Sequence, residues 1–414
     1  MREARHFLVC MLALGIAAPA AAQNAADFNN LGIASYNAKQ FQAAIGYFEK
    51  AYELASENAV VRRNLCNAHQ GEANRLAQQS DFAAAAKHLE LAIAVDPQNP
   101  APLIQLGSYY LRLDMVSDAI FRLEEAIELK PGDLDAHELL GRAYYEDNDL
   151  PSARAQWDYV LAMAPDRPGL KELYEKAFRE EAVESGFGRQ TGKNFKISFP
   201  KEVPYQMRTT VLRLLESAYR EIGRRLGDTY PPEQVQVVLY AADQFTEATQ
   251  LGAHVGAVFD GKIRCPITDI EGRFLSEQEL EKRLRHEYVH VLVRFIAGNK
   301  APWWLNEGMA EVFSSTLGPD QAVVLSRAYA EGLAFKVSDL EASQLQRLSP
   351  EALRLAYLQS QAAVQYLYDR GGARKLVALL GAIGTGTPPE EALRAQYRRT
   401  YASLDTELGK TYRQ

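Results

Sequence analysis

From about residue 25 to residue 183, apolar and small residues recur every 34 positions. Leu106-Gly107 returns as Leu140-Gly141, Tyr110 as Tyr144, Ala119 as Ala153 and Leu123 as Trp157. Pro97, Pro131 and Pro165 keep the same interval. Within each period the apolar spacing predicts two short amphipathic helices. A small residue, Gly107 or Ala119, lets the paired helices approach closely. The proline ends the second helix because it cannot continue the hydrogen-bond ladder. An earlier copy begins near Ala25, with Leu31-Gly32, Ala44, Phe48 and Ala51 in matching places. A further copy carries Phe82, Ala85, Leu89 and Ala92 before Pro97, and its first helix is lengthened by about seven residues around Asn67 to Gln79. Four repeats result, and a helix over 168–183 is expected to cover the last apolar face.

These residues resemble the tetratricopeptide repeat. The resemblance implies an α-solenoid over 23–183 whose concave groove holds a peptide or a protein partner, or alternatively a spacer or dimerisation surface. Gly186, Gly188 and Gly192 then break the helical pattern, so 184–193 reads as a linker. Beyond it the periodicity changes. Phe195–Phe199 alternates as a strand, Pro204 to Leu226 has helical spacing, and Val235–Tyr240 reads as a second strand before a short helix near Asp243 to Thr249. Asp260-Gly261 marks a hairpin within Ala257 to Ile267. From Ser276 onward the pattern is helical. The expected architecture is mainly α, a repeat array followed by an α+β domain over 194–414.

Composition narrows the function. The chain has 414 residues, 47% hydrophobic and 24% charged, with a net charge of -7. That excludes disordered, collagen-like and multi-span membrane classes, and the mildly acidic balance gives no support for nucleic-acid binding, which would need a basic face. Arg2 and Arg5, an apolar run from Phe7 to Ala18 and Ala20-Ala21-Ala22 read as a bacterial-type export signal over 1–22, cleaved before Gln23. An uncleaved anchor is the alternative; no later stretch is apolar enough to span a bilayer. The expected location is the periplasm or the exterior. Cys66 and Cys265, assigned to different domains, are expected as buried free thiols, too few for a disulfide framework or a cysteine zinc site.

One segment carries chemistry. The helix starting at Ser276, with a Ser276/Glu279 capping box, has Leu280, Leu284, Val291, Leu292 and Phe295 on its apolar side and Gly298 as its stop. Within it stands His286-Glu287-Tyr288-Val289-His290. Two histidines four apart share a helical face, so their ring nitrogens can meet on one metal ion. Glu287 falls beside them, within reach of a metal-bound water but not placed as a ligand. A second helix starting near Asn306, in Leu305-Asn306-Glu307-Gly308-Met309-Ala310-Glu311, can bring Glu307 back as third ligand. Two imidazoles and one carboxylate leave a position open for water, as in catalytic zinc sites. Glu311, one turn further, is placed to orient a ligating histidine, or else to lie on a solvated face. Trp303 and Trp304 read as core or cleft wall.

These motifs resemble the gluzincin metallopeptidases. The closest likeness is to the small peptidase MA-like domain found with tetratricopeptide repeats in exported bacterial proteins. The resemblance covers roughly Lys193 to the C-terminus. It implies Zn²⁺ on His286, His290 and Glu307, with Glu287 as general base and acid. It also implies an oxyanion donor at Tyr357, in Ala356-Tyr357-Leu358-Gln359-Ser360, Tyr366 and Tyr368 being weaker candidates. A substrate-pairing edge strand is expected within Gly256 to Ile267, and closing helices over Glu390 to Tyr412. His254 is left out of the site. The aminopeptidase string Gly-Ala-Met-Glu-Asn is absent, which favours an endopeptidase. The leading expectation is an exported zinc metalloendopeptidase acting on a protein or peptide substrate, its repeats recruiting partners or substrates. The alternatives are a catalytically idle scaffold that binds proteins through its repeats, and an amide hydrolase acting on cell-wall material.

Overall fold

The computed structural model describes residues 24–251, 256–341 and 348–413. The leader over 1–22 and His254 lie outside them. Among the described residues no helix is long and apolar enough to cross a membrane. The chain forms two compact units that meet in sequence between Ala143 and Tyr144.

The first unit is a series of helices: α1 (24–37), α2 (Phe41–Leu54), α3 (Ala59–Gln78), α4 (Phe82–Val95), α5 (Pro100–Arg112), α6 (Val116–Leu129) and the start of α7 (Leu134–Glu146). The repeat pattern explains their packing. A Cβ on Gly32 would meet the Phe48 ring at 2.5 Å, and one on Gly107 would meet Leu123 Cγ at 2.5 Å. Only a small residue lets the helices come so close. Ala44, Ala85, Ala119 and Ala126 are fully buried in the same way. The stretched repeat shows as an α3 of 20 residues against 13 for α5. Asn58, Asp81 and Asn99 cap their helices with a side-chain oxygen on a backbone N–H. The tight turns place Lys39, Ser80 and Asp114 at positive φ (57, 62 and 55°). None of these is glycine, so the turn geometry was not legible from composition.

The second unit opens with α8 (Leu150–Met163) and α9 (Leu170–Glu184), the helix expected as the cap. They share a core of Tyr145, Leu150, Trp157, Val160, Leu170 and Ala177. Next comes a five-stranded sheet: β1 (Gly188–Thr191), β2 (Phe195–Phe199), β3 (Val235–Tyr240), β4 (Val258–Phe259) and β5 (Ile263–Pro266), in the order β1-β2-β3-β5-β4. The pairs β2–β3 and β3–β5 are parallel, and the two outer pairs are antiparallel. The stretch 184–193, read as a linker, thus contains a strand: β1 pairs with β2 from Gly188↔Phe199 to Thr191↔Lys196. Its glycines signalled a break in helix, but Gly188 serves close packing, since a Cβ there would meet the Phe199 ring at 2.6 Å.

The strands alternate as a period of two requires. Val237 and Leu239 face a large core shared with α10 (Tyr205–Arg225) and α12 (Glu277–Ala297). Val238 and Tyr240 face Val183, Phe187 and α11 (Ala242–Thr249). The rest is helical: α13 (Trp303–Ser314), α14 (Pro319–Glu331), α15 (Pro350–Gly384, broken at Gly372, φ 61°), α16 (Pro389–Tyr397) and α17 (Tyr401–Tyr412). The architecture is therefore mainly α, with a repeat array first and a small mixed sheet in the second unit. Cys66 and Cys265 are buried free thiols, and burial pushes their pKa values up to about 11 and about 12.

Candidate metal centre

Helix α12 carries the histidine pair. Ser276 caps it by accepting from the Glu279 N–H, but the Glu279 carboxylate turns to Arg283 instead of closing the capping box. Leu280, Leu284, Val291 and Leu292 are buried, whereas Phe295 is exposed. Gly298 ends the helix at φ 59°. The spacing of four sets the two rings one above the other, their centroids 4.8 Å apart and nearly perpendicular at 83°.

Helix α13 begins at Trp303, not near Asn306. Pro302 supplies the cap position, where a missing N–H costs nothing, so the helix starts directly after it. Asn306 and Glu307 therefore sit within its first two turns. Glu307 Oε2 lies 3.5 Å from His286 Nε2 and 3.5 Å from His290 Nε2. The three donors lie within 4.8 Å of one another. The Nδ1 atoms point the other way. That of His286 is 3.4 Å from Glu311 Oε1, and that of His290 is 3.0 Å from Asn306 Oδ1. Ser315 Oγ donates to Glu311 Oε2 at 3.1 Å. Each imidazole is thus oriented from behind, leaving Nε2 aimed at Glu307. Asn306 and Ser315 were not singled out in the sequence. Asn306 directly precedes Glu307, yet nothing in a one-residue offset says that its amide reaches the second histidine.

Electrostatics match the geometry. Burial alone would raise the Glu307 carboxyl, but His290 and His286 outweigh it and hold the pKa at about 2. Burial would likewise lower His290, and Glu307 reverses this, pushing it up to about 9. An ion pair therefore sits where the donors converge. A divalent cation that likes two imidazoles and a carboxylate would take the place of that proton, so the donor set fits zinc. Glu287 is buried, 5% exposed, beside this cluster. Desolvation raises its carboxyl pKa, and the two histidines partly offset the rise.

The centre faces a cleft of about 1340 Å³. The β4–β5 turn, Glu287, Trp303 and Tyr357 all line it. Tyr357, from α15, packs edge-on against Trp303 with centroids 5.0 Å apart. Burial and the carboxylates of Glu307, Glu311 and Glu287 keep its hydroxyl protonated, a donor rather than a phenolate. Close contact of α13 with α15 brings it there: a Cβ on Gly308 would meet the Ser360 carbonyl oxygen at 2.3 Å. Trp304 is buried core. Tyr366 donates to Glu407 and Tyr368 packs on Phe313; neither lines the cleft.

Residues 272–412 match the family described as the Peptidase MA superfamily. A 90-residue stretch is 33% identical to the Hsp70-Hsp90 organizing protein of Triticum aestivum; it covers 22% of this chain and only 16% of that protein. Among solved structures, the chain resembles the first tetratricopeptide repeat domain of Spaghetti (RPAP3) bound to an HSP90 peptide, at 20% identity and a TM-score of 0.28, over 28% of this chain and 93% of that one. It also resembles YrrB, a tetratricopeptide repeat protein with an unusual peptide-binding site, at 16% identity and a TM-score of 0.27, over 36% and 90% of the two chains. The protein combines a helical repeat array resembling the tetratricopeptide type with a C-terminal domain that matches the Peptidase MA superfamily over residues 272–412.

Proposed function

We propose that the protein is an exported zinc metalloendopeptidase whose repeats bind a protein partner or substrate. The observation that carries this reading is the convergence of His286, His290 and Glu307 on one point, with Glu287 beside it. Those three residues would hold the ion. Bound zinc supplies Lewis acidity toward a water molecule and toward the carbonyl to be cleaved. Glu287 takes the proton from the attacking water and later hands it to the leaving amine; its burial, by raising its pKa, suits both roles. Tyr357 donates a hydrogen bond to the carbonyl oxygen as negative charge grows there. Glu311 and Asn306 hold the two imidazoles in the orientation that keeps Nε2 available.

The cleft supports cleavage within chains over cleavage at their ends. Asp260 is bound to Arg264 and Lys176, Glu279 to Arg283, and Glu311 to Ser315 and His286. Among the described residues, the cleft carboxylates other than Glu307 and Glu287 are therefore engaged, and none is left over to hold a substrate amino terminus. The edge strand β4 beside the centre is suited to pair with an extended polypeptide. Partner binding is supported by the likeness of a 90-residue stretch to the Hsp70-Hsp90 organizing protein, and export by the leader sequence. The test is peptide mapping of a digested protein mixture by mass spectrometry. Wild type should generate internal cleavages, and Glu287→Gln should cut their rate by about 10²–10⁴ while keeping its metal. Equal cleavage by both would remove Glu287 from the mechanism, and no cleavage by metal-loaded wild type would leave an idle scaffold.

A further inference from the structure

Asp260 belongs to two places. At the turn between β4 and β5 it lines the metal cleft, and its carboxylate is also the outer member of a buried ion network behind the sheet. Arg264, on β5 and 0% exposed, is the centre of that network. Its Nε donates to Asp260 Oδ1 at 3.1 Å, its Nη1 to Tyr240 Oη at 2.6 Å and Glu184 Oε1 at 3.3 Å, and its Nη2 to Glu180 Oε2 at 2.7 Å. Lys262, 1% exposed, donates to Asn148 Oδ1 at 2.6 Å and lies over the Tyr145 ring. Tyr145 and Tyr240 donate in turn to Glu180 and Glu184. Lys176 Nζ closes the set on Asp260 Oδ2 at 2.6 Å. Lys176, Glu180 and Glu184 all come from α9. Three cations, Lys176, Lys262 and Arg264, balance three carboxylates, Glu180, Glu184 and Asp260.

A network of this kind is costly to build. Apolar residues of similar volume would serve bulk stability at least as well, so its use calls for a specific task. The β4–β5 hairpin supplies one. Its ladder has two paired positions, Val258↔Arg264 and Phe259↔Ile263, and β4 is an edge strand. Val258 and Phe259 are only half-buried. β5 is buried and paired with β3 over four positions, whereas β4 is held by its two-residue ladder, by Val258 and Phe259 packing on the cores and by Arg283 donating to the Gly256 carbonyl. The network grips the turn between the two strands, at Asp260 and at Lys262 and Arg264.

We infer that Lys176 and Arg264 are positioning residues that act through Asp260 to fix the β4–β5 hairpin against the metal centre, making helix α9 the support of the cleft wall. The helix expected as the cap of the repeats is then a working part of the peptidase-like unit. An extended substrate lying along β4 would register hairpin position in KM more than in kcat; that consequence rests on the metallopeptidase reading, whereas the placement of the hairpin does not.

The experiment is hydrogen exchange on the full chain with Lys176→Met, chosen because Lys176 is partly exposed and its loss leaves the Arg264 core intact. Amides over 258–264 should exchange about tenfold faster than in wild type, with those over 195–199 and 235–240 unchanged and zinc content unaltered. Lys176→Arg should restore most of the protection. In an active preparation, KM for an extended peptide should rise severalfold in Lys176→Met with kcat held within about twofold. Equal hairpin protection in wild type and Lys176→Met overturns the inference, as does a uniform loss of protection across the sheet. Absence of activity in wild type would instead overturn the peptidase reading, and the exchange result would still decide this one.

Discussion

Gly107 and Gly308 are both helical glycines at close helix contacts, but they face different things. Gly107 meets the side chain of Leu123, sixteen residues on, and Gly32 meets Phe48 at the same interval. Gly308 meets the backbone carbonyl of Ser360, fifty-two residues on, and also Val364. In the array, one contact between neighbouring helices is repeated, and a side chain can shift to accommodate change. In the second unit, a long-range approach to backbone, where α13 meets α15, brings Tyr357 and Glu307 to the same cleft. Repetition makes a fold tolerant; convergence makes a site intolerant.

Substitutions test this contrast. Gly308→Ala should cost the most, on the order of 3 kcal/mol, because a carbonyl oxygen at 2.3 Å cannot yield without moving a helix. Thermal unfolding of the full chain should show the loss in the second unit, with activity falling alongside. Acid should distinguish the array next. His69 and His88 bring their Nδ1 atoms to 3.2 Å inside the first unit, and burial, then His88, lowers the His69 pKa to about 4. The unfolded chain takes up that proton near 6.5, so this contribution is neutral above pH 6.5. Stability then falls as pH drops from 6.5 to 4, by up to about 3 kcal/mol. Array unfolding followed from about pH 7.5 to about 4.5 checks it, and His69→Gln should flatten the profile. Gly107→Ala should do least. Leu123, fully buried, must move to admit the Cβ, at about 1–3 kcal/mol, and alanine offsets roughly 1 kcal/mol of this through helix propensity, so the net loss stays at or below about 2 kcal/mol. A large loss there would erase the distinction.

The same contrast explains what could be read from the sequence. Every array helix was legible, because packing partners recur at fixed spacing: α4 and α6 end two residues before Pro97 and Pro131. The histidine pair was legible because four residues on one helix fix its geometry. The approach of Glu307 was readable as a possibility from the start of a second helix soon after the first. Asn306, Ser315 and the Arg264 network were not, since each depends on side-chain direction or on contacts spanning many tens of residues, such as Arg264 to Glu180. The glycines over 184–193 misled for a related reason. They mark the end of a helix, yet the conformation of the next segment is set by β2, the strand that pairs with it.

The proposed chemistry requires three side chains to meet at one cation, and metal content measures that directly. Purified wild type, Glu287→Gln and His290→Ala should be equilibrated with limiting zinc, dialysed and analysed for zinc per chain. One zinc per chain in the first two and none in His290→Ala is the predicted result. Full occupancy in His290→Ala, or no stoichiometric zinc in wild type, would contradict it.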